Sequence, residues 1–192
     1  MTARRGRVQL WLLLGLFAAP PLAALLLYFV FPQWIPGGRT NHGTLLDPAR
    51  PLPAFALVDA AGRPLPPDRK WTLLYAGGHG CDAACAAVLA EGRQVWHALD
   101  KDRQRVRRVY VAPDAAALAQ AKAALQAQHW DLAIVADAGT AGARLADALG
   151  PQPPNALFLL DPNGNWVMTF DALSEKDLYR DLRRLLRFSH IG

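Results

Sequence analysis

The sequence predicts an α/β domain, a central mixed sheet flanked by helices, carried on one N-terminal transmembrane helix. Three observations predict it. A charge-free apolar run opens the chain; short β-rich runs then alternate with helical ones; and the two cysteines, Cys81 and Cys85, stand at a junction between a strand and a helix. The chain has 192 residues, 52% of them hydrophobic, enough for one packed domain or at most two.

The formal charge of +5 suggests nucleic acid until Arg4, Arg5 and Arg7 are set aside, which leaves +2 for the rest. The later arginines are mostly interleaved with aspartates and form no basic stripe with stacking partners, so no nucleic acid partner is expected.

Residues 1–7 form a basic N-terminus, expected in the cytoplasm. Residues 8–31, VQLWLLLGLFAAPPLAALLLYFVF, carry no charge over 24 residues. As a helix they span about 36 Å, enough for a hydrocarbon core of about 30 Å. The run is longer than the apolar region of a cleaved signal, lacks an A-x-A ending and finishes in aromatics, which favours a retained anchor. Pro20 and Pro21 fall inside the span and predict a kink. Basic residues before the span place the rest of the chain outside the cytoplasm, in the periplasm if the cell is bacterial.

Residues 32–52 are rich in Pro and Gly without a period and predict an extended tether, with the domain occupying residues 53–192. FALVD predicts the first strand and WTLLYAGG, 71–78, a buried strand ending in glycines. The next helix places Val88, Leu89, Gly92, Val95, Trp96 and Leu99 on Cys85's face, with Cys81 at its exposed start. VRRVYVAP predicts a strand, and DAAALAQAKAALQAQ a helix with Asp114 as N-cap. DLAIVAD predicts a short strand and TAGARLADALG a helix stopped by Gly150. NALFLLD, the turn DPNGN and WVMTFD form a hairpin.

The last helix carries Ser174 as N-cap with Asp177 three residues on, and Leu173 with Leu178 as a hydrophobic staple. Leu178, Leu182, Leu185 and Leu186 form its buried stripe. Arg180, Arg183, Arg184 and Arg187 cluster away from that stripe; they are read as a solvated face, with contact to anionic lipid or a partner as the alternative, and no function is assigned to them.

The order of elements is a thioredoxin-like plan with an N-terminal extension. A helix N-terminus stabilises a thiolate, which makes Cys81 the better nucleophile and Cys85 the resolving thiol, the adjacent Asp82 opposing the effect in part. Two helical residues four apart have Cα atoms about 6 Å apart, close to the upper end of the disulfide range. The same spacing sets two soft thiolates side by side, which suits Cu(I). His79, two residues before Cys81, is a further ligand, a base beside the thiol, or a loop histidine exposed to water. His42 lies in the tether, His97 and His129 at surface positions, His190 at the C-terminus. Pro154 is either a cis-proline before a strand or part of a rigid turn.

The run YAGGHGCDAAC after a buried strand, with PAFALVDAAGRPL before it and NALFLLDPNGNWV and a final helix after it, resembles the Sco (SenC) family. These are membrane-anchored thioredoxin-like proteins that assist assembly of the copper A centre of cytochrome c oxidase. The resemblance covers roughly residues 41–188. It implies that Cys81 and Cys85 are copper ligands, with His79 as substitute for the family's histidine, whose position falls near Pro153 here. The chain is thus a divergent member lacking that histidine, and it has Ala86 where the family has proline.

The resemblance implies an assembly factor that binds Cu(I) or exchanges disulfides, making a thiol–disulfide oxidoreductase activity an open question. Its partners would be the oxidase subunit carrying the copper A site, a thiol reductant or copper donor, and membrane lipid through the anchor. The alternative of another class is a non-catalytic scaffold for a respiratory complex, with Cys81 and Cys85 in a structural disulfide.

Overall fold

A computed structural model describes residues 2–31, 41–53, 55–66, 68–139, 144–171 and 174–189. Residues 1–40 and 41–192 form separate compact units. The first contains helix α1, Thr2–Val30, which continues through Pro20 and Pro21. Its segment Gly6–Val30 is long and apolar enough to cross a membrane. Trp11, Phe17 and Phe29 are all more than two-thirds exposed on it, an apolar surface of the kind that lipid covers.

The second unit is a mixed sheet with helices on both faces. Its strands are β1 (Thr44–Pro51), β2 (Leu57–Val58), β3 (Trp71–Ala76), β4 (Val106–Ala112), β5 (Leu132–Asp137), β6 (Leu157–Leu160) and β7 (Asn165–Phe170). They lie in the order β1-β7-β6-β3-β4-β5-β2. β3, β4 and β5 run parallel, and β6, β7 and the two edge strands β1 and β2 pair antiparallel with their neighbours. The helices are α2 (Ala83–Ala98), α3 (Ala115–Leu125), α4 (Leu145–Leu149) and α5 (Glu175–Phe188), with a 3-10 turn over Asp100–Arg105.

Alternation along the central strands sorts the core into two clusters. Leu73, Tyr75, Tyr110 and Ala112 meet α2, α3 and α5 on one face, whereas Leu74, Val109, Val111 and Val135 meet α4 and the segment around Leu52–Leu65 on the other. This is the thioredoxin-like arrangement predicted above.

Three local expectations change. Thr44–Pro51, within the predicted tether, is instead an edge strand on β7, with its register shift between Leu45 and Arg50 spanning Pro48. Proline is tolerated at a sheet edge or a bulge, so Pro48 and Pro51 do not prevent pairing. The strand predicted over FALVD shrinks to Leu57–Val58. Of the helix predicted over 140–150, Leu145–Leu149 is helical, and residues 140–143 lie outside the described ones.

The predicted start of α5 holds at Ser174, but its side chain makes no capping bond. The Asp177 carboxylate turns to His42 Nε2 at 3.3 Å. Leu173 and His190 lie outside the described residues.

Candidate functional site

The site is built at the carboxyl end of β3. Gly77 prolongs the parallel pairing by donating to the Val111 carbonyl at 2.8 Å, and lies flat against Tyr110. A Cβ at Gly77 would overlap Cζ and the hydroxyl oxygen of that ring, so only glycine lets the chain cross here. Gly78 and Gly80 face open space and carry His79 around to Cys81.

Asp82, not Cys81, begins the helical turn. It is the N-cap of α2, its side chain accepting from the Cys85 N–H at 2.8 Å. Cys81 therefore lies just outside the helix and its backbone is free to bend inward. The Cα atoms of Cys81 and Cys85 stand 5.2 Å apart and the two sulfurs form a disulfide. This is closer than the helical spacing predicted, because a residue before the cap does not follow the helical rise. Cys85 is 3% exposed within the core, while Cys81 is half-buried. Of the pair, Cys81 is the more exposed residue.

Under the disulfide loop two tyrosines stack, Tyr75 and Tyr110, with ring centroids 5.6 Å apart. The Tyr75 hydroxyl donates to Asn155 Oδ1 at 2.7 Å, joining β3 to the loop that precedes β6. Burial, reinforced by Tyr110 and Asp82, pushes the Tyr75 phenol up to about 12, so it stays protonated and serves as a fixed donor. Asn155 has φ +59°, a left-handed conformation that asparagine accepts readily. Tyr75 and Asn155 were not singled out from the sequence; a tyrosine at the last core position of a strand was the available signal. The Pro153–Pro154 bond is trans, and the cis peptide among the described residues is Asp47–Pro48.

His79 is 80% exposed, with Nδ1 3.7 Å from Asp114 Oδ2. Asp114 is the predicted N-cap of α3 and accepts from the Ala117 N–H at 2.8 Å. Among the described residues, no group of three or more His, Cys, Asp or Glu side chains is arranged to hold a metal ion. His42 is brought instead to α5, where it meets Asp177 and Asp181. His97 is exposed as predicted.

His129 is not at the surface. It is 4% exposed, near a buried ion pair of Arg108 with Asp131 that Arg93 approaches from outside. Burial, followed by the charge of Arg108, lowers the His129 pKa and keeps its ring neutral. Arg108 has the core-facing parity of Val106 and Tyr110 in β4, and it is tolerated there because Asp131 and the Leu89 carbonyl receive its guanidinium.

Among solved structures, the apo Sco1 protein of Thermus thermophilus is similar at 18% identity and TM-score 0.57, over 78% of this chain and 99% of that one. The copper-bound ScoI of Bradyrhizobium japonicum is similar at 21% and 0.51, over 70% and 98%. A thiol-disulfide oxidoreductase from Bacteroides fragilis is similar at 21% and 0.54, over 71% and 99%. At such identities the likeness establishes the fold, and no curated protein sequence matches the chain. Residues 71–189, well over half of the sequence, match the family described as transmembrane-like, thioredoxin-like, C-terminal domain. Its sheet, its cysteine loop at the end of β3 and that match together make this chain a member of the transmembrane-like, thioredoxin-like family.

Proposed function

We propose that the chain is a membrane-anchored thiol–disulfide exchange protein of the Sco type, a divergent member without the family histidine, acting in assembly of the copper A centre of cytochrome c oxidase. The observation that carries this reading is the asymmetric pair at the start of α2, with Cys81 half-buried and Cys85 within the core. Residues 1–7 would lie in the cytoplasm, 8–31 in the membrane, and the sheet domain outside it, in the bacterial periplasm.

In the reduced protein the Cys81 thiolate attacks one sulfur of a target disulfide. A mixed disulfide forms, and the target's other sulfur leaves as a thiolate that takes up a proton. The Cys85 thiolate then attacks the Cys81 sulfur, forming the Cys81–Cys85 disulfide and releasing the second target thiol. Two electrons and two protons pass to the target, and a dithiol reductant restores the pair. Tyr75 and Asn155 hold the loop before β6 at the same end of the sheet.

Copper enters this reading as cargo. Reduced, the two cysteines offer Cu(I) a pair of soft thiolates, and His79, in the same loop and only loosely held by Asp114, would be the third ligand. The likeness to a copper-bound ScoI favours this second use of the pair.

The test compares single-cysteine variants of the full chain. Cys85→Ser is expected to accumulate a reductant-sensitive adduct with its target, because the mixed disulfide cannot be resolved, and Cys81→Ser to form none. Oxidase assembly should fail in the double Cys81→Ser/Cys85→Ser variant; normal assembly there would leave the domain as a scaffold with a structural disulfide. Anaerobic Cu(I) titration of the reduced chain, with and without His79→Ala, separates cargo binding from exchange.

A further inference from the structure

We infer that α5 is a second membrane contact of this protein, its exposed arginine row lying on the headgroups of anionic phospholipids. Outside the first seven residues the chain carries a net +2, yet Arg180, Arg183, Arg184 and Arg187 alone bring four positive charges to one exposed face. Everything else beyond residue 7 therefore sums to −2, and the positive charge of the domain is concentrated here. From Leu182 to Phe188 the helix holds three arginines and no acid.

Of the helix's three acids, Glu175 is exposed in the first turn and the other two face other partners. Asp181 is 2% exposed and receives His42 and Gly43, and Asp177 meets His42 and Arg180. Lys101 lines a shallow groove beside the row, together with Asp102, which pairs with Arg105 at 3.6 Å. Phe188 closes it, 71% exposed with the Arg187 guanidinium 6.0 Å from its ring centroid. A guanidinium row ending in an exposed aromatic matches a phosphate surface with an apolar layer beneath it.

The path of the chain favours a bilayer over an acidic protein. Twelve residue steps separate Val30, the end of the apolar helix, from His42, a reach of at most about 43 Å. His42 and Gly43 donate their backbone N–H groups to Asp181 at 2.8 and 2.9 Å, so the chain just ahead of β1 is bound to α5 itself. Among the described residues, α5 is the helix of the domain that receives these two N–H groups. This inference rests on α1 crossing the membrane and is independent of the cysteine chemistry.

The test uses the full chain in lipid nanodiscs, with a fluorinated phenylalanine at position 188 read by fluorine NMR and a nitroxide on a lipid headgroup as relaxation probe. Discs of phosphatidylcholine alone are compared with discs containing phosphatidylglycerol at about one part in four, where each basic side chain near the surface adds to the attraction. Co-purification of the chain with the discs establishes insertion of α1 in every sample. The expected result is at least a roughly twofold loss of the position-188 signal in the anionic discs only, reversed by high salt and by Arg183→Gln/Arg184→Gln/Arg187→Gln. The salt arm needs no variant and so stands even if the triple substitution perturbs folding. Equal signal in both discs at low salt would overturn the inference and leave the row to solvent or to an acidic protein.

Discussion

Two aspartates organise two ends of this domain, and they do so differently. At the cysteine loop, Asp82 accepts one N–H, from Cys85 three residues away, and remains exposed. At the junction with the tether, Asp181 accepts two, from His42 and Gly43 at a separation of 139 and 138 residues, and is 2% exposed. The histidines follow suit: His79 touches a half-exposed Asp114 at 3.7 Å, whereas His42 meets both Asp177 and Asp181. The two aspartates thus differ in reach: Asp82 holds the cysteine loop by one short-range, exposed bond, and Asp181 holds the start of the domain by two long-range bonds to its own buried carboxylate.

The strongest way to break this contrast is Asp181→Ala, which strands the buried Gly43 donor and the half-buried His42 donor and is expected to cost about 3 kcal/mol of unfolding free energy by denaturant titration. Gly77→Ala drives a methyl into Tyr110 and is expected to cost about 2 kcal/mol, with the cysteine loop displaced. Asp82→Ala removes a single cap and should cost about 1 kcal/mol, while changing the rate of disulfide exchange more than the stability. His79→Ala should stay within about 0.5 kcal/mol of the parent, its effect confined to copper titration. An equal cost for Asp82→Ala and Asp181→Ala would erase the contrast.

A pH arm sharpens it further. The folded pKa of His129 lies below its unfolded value of about 6.5. The unfolded chain therefore binds the extra proton, and stability is full above that value and falls as pH drops through it. His129→Gln should flatten this acid limb in pH-dependent thermal unfolding, with little change at pH 8.

Much of the fold was legible because it repeats local rules. β3 through α3, the hairpin and α5 carry periodicity, caps and turn residues that act within a few residues. β1 was not, because two prolines and no alternation hid a strand that exists only through pairing with β7. Cys81 and Cys85 were legible by spacing, but the step of Cys81 out of the helix was set by Asp82, an N-cap residue standing in plain view. His129 was misplaced because its burial depends on Asp131 and Arg108, a pair no local pattern announces.

By itself the sequence determined the apolar span, the order of strands and helices from β2 onward, and the position of the cysteine pair at a helix start, since each follows from hydrophobic spacing and backbone preference over short stretches. Tertiary structure alone decided that His42 fastens to α5, that Arg108 and Asp131 neutralise each other beneath His129, and that Tyr75 reaches Asn155. Those are contacts between residues far apart in the chain, and their energies exist only once packing has brought the groups together and excluded water from them.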